Sequence, residues 1–269
     1  MSARSREPFS GVWFRRILLA GTFFGILASY RLWLTSRRFP LVPVADGFPA
    51  LAPPGDAILL ALLLGLLVVA LRFYRPAVAA FLIGALFLVL GDQTRLQPWF
   101  YLYAVMLLLT LFPDRIALAG CRVALSGVYV WSGIQKLNGA YFEEVVPWFA
   151  APASRWLSEA SAEAVEFAIA AAPVVEIFIG AAVWLLPLRR YAVATAALLH
   201  AAILLFLGPL GYDYNLVVWP WNLTMPLLLL TLFPRESLGR TWATLRQSKP
   251  AFAIVLLIVG LPALSFLMS

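Results

Sequence analysis

The chain has 269 residues, of which 63% are hydrophobic and only 12% are charged, with a formal net charge of +7. A soluble domain carries about 25% charged and about 45–50% apolar residues, so the composition excludes a soluble fold and makes lipid the solvent for most of the chain. The single cysteine, Cys121, excludes an intrachain disulfide and a thiol oxidoreductase that works through a cysteine pair.

Long apolar runs recur from one end of the sequence to the other. Their lengths match the roughly 30 Å hydrocarbon thickness at 1.5 Å per helical residue. Each run is predicted to be helical, because only helices and closed barrels satisfy their backbone in lipid, and the alternation typical of a barrel is absent. The sequence therefore predicts an all-α, polytopic transmembrane helical bundle in which residues 1–269 form a single integral-membrane domain. The predicted spans are about 13–35, 56–74, 76–91, 97–113, 115–137, 162–187, 190–208, 214–233 and 250–268.

About nine spans are expected, or eight if the short segment 76–91 does not cross. The first segment is too long for a cleavable signal peptide and has no clear small-residue cleavage site. Basic residues set the orientation, because cytoplasmic loops carry an excess of Lys and Arg. With a cytoplasmic N-terminus, the inner side holds most of them, including Arg4, Arg6, the pair Arg189 and Arg190, and Arg235. The excess of basic residues is thus explained by membrane orientation rather than by nucleic-acid binding. The expected partner of the chain is the lipid bilayer.

The proline-rich outer loop 36–55 is predicted to be irregular. The next element of interest is the helix 115–137, which carries a polar stripe. Its members recur at intervals of four and three residues, so they share one face of the helix. Such a face should look into the bundle or into a cavity. The stripe consists of Arg122, Ser126, Tyr129, Gly133 and Lys136.

The outer segment 138–161 mixes aromatic and charged residues, including Trp148, Phe149 and Trp156. This mixture predicts interfacial helices at the headgroup level. The basic and polar segment 235–249 is predicted to be a surface helix on the inner side. Trp219 and Trp221 lie near the outer end of the eighth span, where they fit the aromatic belt.

Ionisable residues inside spans are costly and therefore candidates for function. A rise of about 1.5 Å per residue places Glu176 and His200 near mid-membrane, and Lys136 and Glu166 near the outer face. These depths predict two pairs, Lys136 with Glu166 and His200 with Glu176. In an alternative arrangement, Arg122 joins the second pair. Two simpler interpretations stay open: Lys136 as a snorkelling anchor, and Glu176 with His200 as a structural clasp.

The stretch "YVWSGIQKLNGAYF" resembles the horizontally transferred transmembrane (HTTM) family, the bacterial relative of the membrane domain of vitamin-K-dependent γ-carboxylase. A second stretch, "VVEIFIGAAVWLLPLRRYAVATAALLHAAILLFLG", looks like the family's glutamate helix, basic inner turn and histidine helix. The likeness continues through "WPWNLTMPLLLLTLF" and covers about residues 115–235. DoxX-like membrane proteins share the Gly-x-x-Lys and glutamate-helix features and are the competing assignment.

The resemblance implies that Lys136 occupies the position of a carboxylase lysine that acts in hydroquinone-driven chemistry, in which oxygenation generates a strong base. Glu176 and His200 match recurrent family positions and complete the candidate catalytic set. The implied cofactor is a quinone or hydroquinone, and the sequence has no metal, haem or nucleotide motif. The implied location is the bacterial inner membrane. Candidate cofactor-binding residues are Arg122, Ser126, Tyr129, Trp131, Trp219 and Trp221.

Two functions follow from these observations. The first is a membrane enzyme with a polar cavity that binds a lipid-soluble quinol and supports redox-linked or carboxylation-type chemistry. The lumenal domain that grips the carboxylase's peptide substrate has no counterpart here, so we expect quinone chemistry rather than peptide carboxylation. The alternative is a non-catalytic membrane subunit that anchors a membrane or extracytoplasmic protein partner. A transporter is disfavoured because no inverted repeat is visible.

Overall fold

The computed structural model describes residues 7–49, 51–212, 215–233 and 237–268, and within them it contains helices and no strands. The predicted all-α class is confirmed. Contacts divide the chain into two compact units, Met1–Leu118 and Ala119–Ser269. The prediction of a single membrane domain stays a prediction. The basic residues Arg4, Arg6 and Arg235, used to orient the chain, lie outside the described residues.

The first unit is built from helices that pack against one another. Helix α1 packs against α3 and α5, α3 packs against α4, and α4 packs against α5. Trp33 and Phe100 are fully buried in this core, with ring centroids 4.8 Å apart. The helices are α1 (Glu7–Ala28), α2 (Tyr30–Trp33), α3 (Gly55–Val69), α4 (Tyr74–Gly91), α5 (Pro98–Leu109) and the start of α6 (Asp114–Gln135).

The loop between α2 and α3 is irregular, as predicted, but a buried ionic cluster holds it. Arg37 Nη2 lies 2.7 Å from Asp92 Oδ2, and Arg95 Nε lies 3.6 Å from the same oxygen. The first contact lacks hydrogen-bond geometry, so we treat it as an ion pair. Burial lowers the pKa of Arg95, and the Asp92 carboxylate opposes that effect. We call Arg37, Asp92 and Arg95 the closed cluster.

Where the structure describes it, the second unit contains the remainder of α6 and seven further α-helices. Helix α10 packs against α9 and α11, α7 packs against α8, and α12 packs against α13. Between α6 and α7 lies a π-helical turn (Tyr141–Val145), and 3-10 turns precede α8 and α11. The helices are α7 (Val146–Ala150), α8 (Glu159–Ala170), α9 (Ala172–Ala182), α10 (Arg189–Leu207), α11 (Trp219–Leu232), α12 (Leu238–Leu245) and α13 (Lys249–Met268).

Among the described residues, four helices are long and apolar enough to cross a membrane: α1 from Gly11, α4, α6 and α10. The bent pair α8 and α9 brings the number to as many as five. The 15 residues of α3 extend only about 22 Å, less than the roughly 30 Å core. The chain is therefore compatible with an integral membrane protein. The segment whose length was in doubt, 76–91, lies on one of the long helices.

The predicted span 162–187 is wrong as a single helix, because the chain bends by 47° between α8 and α9. Pro173 explains the break. Proline has no N–H, so the carbonyl of Ile169, four residues earlier, loses its helical donor. The hydroxyl of Tyr141 donates to that carbonyl instead, at 2.8 Å. The turn after α6 therefore satisfies the backbone at the bend.

Candidate polar site of the second unit

The polar stripe of α6 faces other helices of the second unit, as predicted. Tyr129 meets α10 at His200, and Lys136 meets α9 at Glu176. At the other end of the stripe, Arg122 Nε donates to the carbonyl of Leu232, 2.6 Å away. Leu232 ends α11, so the guanidinium lies where a helix leaves carbonyls without helical donors and where a positive charge is favoured.

Two glycines bring α6 and α9 into backbone contact. A Cβ atom at Gly133 would lie 2.3 Å from the carbonyl oxygen of Pro173. A Cβ atom at Gly180, on the other helix, would lie 2.6 Å from the carbonyl oxygen of Ser126. Small residues allow such close approach between membrane helices. The register of α9 against α6 is thus set at two points, and this register decides which carboxylate reaches Lys136.

Lys136 forms an ion pair with Glu176, its Nζ lying 2.6 Å from Oε2. The same ammonium donates to Ser132 Oγ at 2.6 Å and approaches the Ser132 carbonyl oxygen at 3.3 Å. The Glu176 side chain is 12% exposed, whereas that of Lys136 is 33% exposed. Nearby, burial and, as the smaller effect, the negative charge of Glu176 together raise the pKa of Tyr141 to about 12. We call Lys136, Glu176 and Ser132 the ion-pair group.

Both predicted pairings are corrected by this geometry. Lys136 pairs with Glu176 rather than with Glu166, which is exposed on α8. His200 bonds to Tyr129 and Asn222 rather than to Glu176. The depth estimate treated 162–187 as one straight helix. The bend, together with the glycine contacts, brings Glu176 level with Lys136.

The imidazole of His200 lies in a buried hydrogen-bonded chain. Tyr129 Oη is 2.7 Å from His200 Nε2, and His200 Nδ1 is 2.7 Å from Asn222 Oδ1. Asn222 Nδ2 donates in turn to the Val218 carbonyl at 2.8 Å. Tyr129, His200 and Asn222 are each no more than 5% exposed. We call these three residues the histidine chain.

The remaining predicted residues take positions outside these two groups. Ser126 is buried and donates to the Val123 carbonyl in its own helix. Trp219 lies beside Gly208, where an added Cβ atom would be 3.4 Å from the indole. Trp131 and Trp221 are partly buried. Whether these aromatic residues line a cavity with Lys136 stays a prediction.

Sequence reasoning missed Asn222 and Ser132. Asn222 stands in the apolar stretch "WPWNLTMPL" and was not among the candidate residues. A polar side chain inside a predicted span was the available signal. Ser132 precedes Lys136 by four residues, so it shares the lysine's helix face, and that spacing was also readable.

The arrangement offers several exchangeable protons on facing helices. The ion-pair group supplies an ammonium and a carboxylate, and the histidine chain supplies a phenol and an imidazole. No family model matches the chain, and no match was found among curated proteins or solved structures.

Proposed function

We propose that this chain is an integral membrane protein whose second unit binds a lipid-soluble quinone or hydroquinone at the ion-pair group. The bound ring would support redox-linked or carboxylation-type chemistry. The observation that carries the proposal is the ion pair itself. A buried carboxylate holds an ammonium that keeps a third of its side chain exposed, within a chain made mostly of apolar helices.

The pair suits a quinone oxygen for a physical reason. A quinone is an apolar ring that carries two oxygens, so its site needs apolar walls and a few hydrogen-bond donors. Lysine has three rotatable donors and no acceptor, and charge-assisted donation to an oxyanion is roughly twice as strong as a neutral hydrogen bond. Because Lys136 is a hydrogen-bond donor held 2.6 Å from the Glu176 carboxylate, the first role of the amine is to donate to a quinone oxygen or to a hydroquinone oxyanion.

Substitution of Lys136 tests this role. We expect Lys136→Ala and Lys136→Arg to fold and insert but to lose quinone binding, because guanidinium has a different donor geometry and cannot be deprotonated in proteins. The measurement is lipid extraction of the purified protein followed by mass spectrometry for quinones. Lys249, exposed at the start of α13, provides the matched control in Lys249→Arg. Full quinone retention in Lys136→Arg would make Lys136 a snorkelling anchor instead.

A second candidate function rests on the segment around α7. Trp148 stacks on Tyr212 with ring centroids 4.4 Å apart, and the Tyr212 hydroxyl donates to the Trp148 carbonyl. Trp156 Nε1 donates to the Leu210 carbonyl at 2.9 Å. Trp148 and Trp156 are 51% and 65% exposed. This fixed, exposed aromatic surface favours a non-catalytic membrane subunit that holds a partner protein. A partner that co-purifies in the absence of quinone, and is lost in Trp148→Ala, would support it.

We also infer a topology of about nine spans with the N-terminus in the cytoplasm of a bacterial cell and the 138–161 segment outside. The charge distribution supports it, and the shorter helices would cross with their flanking turns. Arg189 is buried, so labelling at the neighbouring exposed position is the sharper test. In a Cys121→Ala background, we expect an impermeant thiol reagent added outside to label Ser154→Cys but not Arg190→Cys. The reverse pattern would invert the orientation.

A further inference from the structure

A narrow apolar groove lies between α1 and α3 in the first unit, with Arg16 at one end and a volume of about 180 Å³. Along α1 it is lined by the residues three, four and seven positions beyond Arg16, which share one face of the helix. Its floor, Leu19 and Leu67, is buried, whereas Val68 and Leu71 are 55% and 64% exposed. The apolar lining consists of Leu19, Ala20, Phe23, Leu67, Val68 and Leu71.

Arg16 lies within Gly11–Ala28, a stretch long and apolar enough to cross a membrane. Its neighbour Arg15 is paired with Asp114, at 2.6 Å. Among the described residues, Arg16 has no carboxylate partner, and its guanidinium lies 5.3 Å from the centre of the Trp13 ring. Because a charge inside a span is costly, we expect this side chain to extend toward the headgroups, where tryptophan is also favoured. The anions available at that level are lipid phosphates.

Further positive charge follows the end of α3. Arg72 and Arg75 are both exposed and lie one and four residues beyond Leu71. The segments 8–45 and 57–91, which supply the groove and this turn, include no acidic residue. Clustered basic residues without neighbouring carboxylates attract anionic lipids, whereas a zwitterionic headgroup brings a positive charge of its own.

We propose that the groove binds one acyl chain of an anionic phospholipid, whose phosphate accepts hydrogen bonds from Arg16. The guanidinium presents a planar fork of donors that matches two phosphate oxygens. From Arg16 to Phe23 the helix face extends about 10 Å, so it receives the part of the chain nearest the headgroup. A cavity of about 150 Å³ can hold benzene, so the groove has room for a segment of one chain. This site belongs to the first unit and is independent of the quinone site proposed for the second.

Native mass spectrometry of the full-length, delipidated protein in detergent tests the proposal, with dioleoyl phosphatidylglycerol as the probe. We expect one tight adduct, and about tenfold weaker binding of phosphatidylcholine with the same chains. Arg16→Gln should weaken phosphatidylglycerol binding about tenfold, as expected for the loss of a charge-assisted hydrogen bond. Arg190→Gln is the matched control and should leave binding unchanged. Arg190 is likewise exposed and stacked on a neighbouring ring, that of Tyr191, but lies in the second unit.

A second variant tests the acyl chain. Ala20 is exposed, so Ala20→Phe should fold, fill the groove and weaken phosphatidylglycerol binding without removing a charge. A phosphatidylglycerol carrying a diazirine in its acyl chain should crosslink to residues 19–23 or 67–71, and Ala20→Phe should abolish these crosslinks. Unchanged binding in Arg16→Gln, equal binding of the two lipids, displacement by inorganic phosphate, or crosslinks confined to other helices would overturn the proposal. A lipid-free dimer, in which a second copy covers the groove, would also overturn it.

Discussion

Two ionic groups in this protein use the same chemistry in different surroundings. The closed cluster of the first unit has side-chain exposures of 6% for Arg37, 0% for Asp92 and 3% for Arg95. The ion-pair group of the second unit leaves a third of Lys136 exposed. Charges that are fully enclosed can only hold the structure, whereas a charge that is partly exposed can exchange its partner for a ligand. Accessibility therefore separates a structural group from a functional candidate here.

The hydrogen-bond partners of the two groups support the same distinction. In the closed cluster, the arginines also donate to backbone carbonyls, including that of Leu88 at 2.7 Å and that of Pro40 at 2.9 Å. The first of these bonds joins the turn after α4 to the end of that helix, and the second closes a turn within the irregular loop. In the ion-pair group, Lys136 bonds to two side chains, which can rotate away without breaking a helix or a loop. The closed cluster therefore holds more of the backbone in place than the ion-pair group does.

The largest effect is expected from Asp92→Asn. It leaves two buried arginines without their carboxylate, which should lower the free energy of unfolding by about 3–5 kcal/mol. Denaturant unfolding in detergent micelles measures it. Asp46→Asn, an exposed position in the same loop, is the control and should change stability by no more than about 0.5 kcal/mol. Equal stability of the two variants would mean that the closed cluster is not structural.

Gly133→Ala should have the next largest effect. Its Cβ atom would lie 2.3 Å from a backbone oxygen and 2.7 Å from Ile177 Cγ1, so α6 and α9 must separate. Overpacking of this kind costs about 1–3 kcal/mol, and the separation should also weaken the ion pair. Gly127→Ala on the same helix is the matched control, since its Cβ would meet only a valine methyl at 3.3 Å. Unfolding experiments on both variants would contradict the close-contact account if they gave the same value.

Glu176→Gln should cost less than Asp92→Asn, about 1–2 kcal/mol. This value lies between the effect of an exposed pair and that of a buried one, because Lys136 can recover solvent. Glu166→Gln is the control, as the carboxylate first predicted to pair with Lys136 and exposed on α8. The comparison between the two ionic groups breaks down if Glu176→Gln is as damaging as Asp92→Asn.

The smallest expected effect is on the alkaline titration of Tyr141. Because the pKa of Tyr141 is raised to about 12, its contribution to stability should be complete below about pH 10 and lost as pH rises from about 10 to 12. Tyrosinate absorbance should show a late step that Tyr141→Phe removes. In Glu176→Gln the step should move to lower pH, because a negative charge has been removed. A step unaffected by Glu176→Gln would place that charge too far away to matter.

The sequence predicted the α6 stripe well and its partners poorly. Polar residues at intervals of three and four define a helix face, so the inward orientation of Tyr129 and Lys136 could be read directly. The partner of Lys136 could not be predicted from the sequence, because it depends on the bend at Pro173 and on the contacts of Gly133 and Gly180. The closed cluster was missed for another reason. Arg37 lies in an irregular loop far in sequence from the turn that holds Asp92 and Arg95, so no periodicity relates it to them.

The bend between α8 and α9 also has a mechanical consequence. Two glycine contacts fix α9 to α6, whereas α8 has no buried residue along its length and packs against the short helix α7. A rotation at Ala171 would move α8 and α7 together while Glu176 kept its place. The hydrogen bond from Tyr141 to Ile169 joins the turn before α7 to the end of α8, directly beside this pivot. Loss of the Tyr141 hydroxyl would therefore loosen the end of α8 from that turn and leave α9 in place.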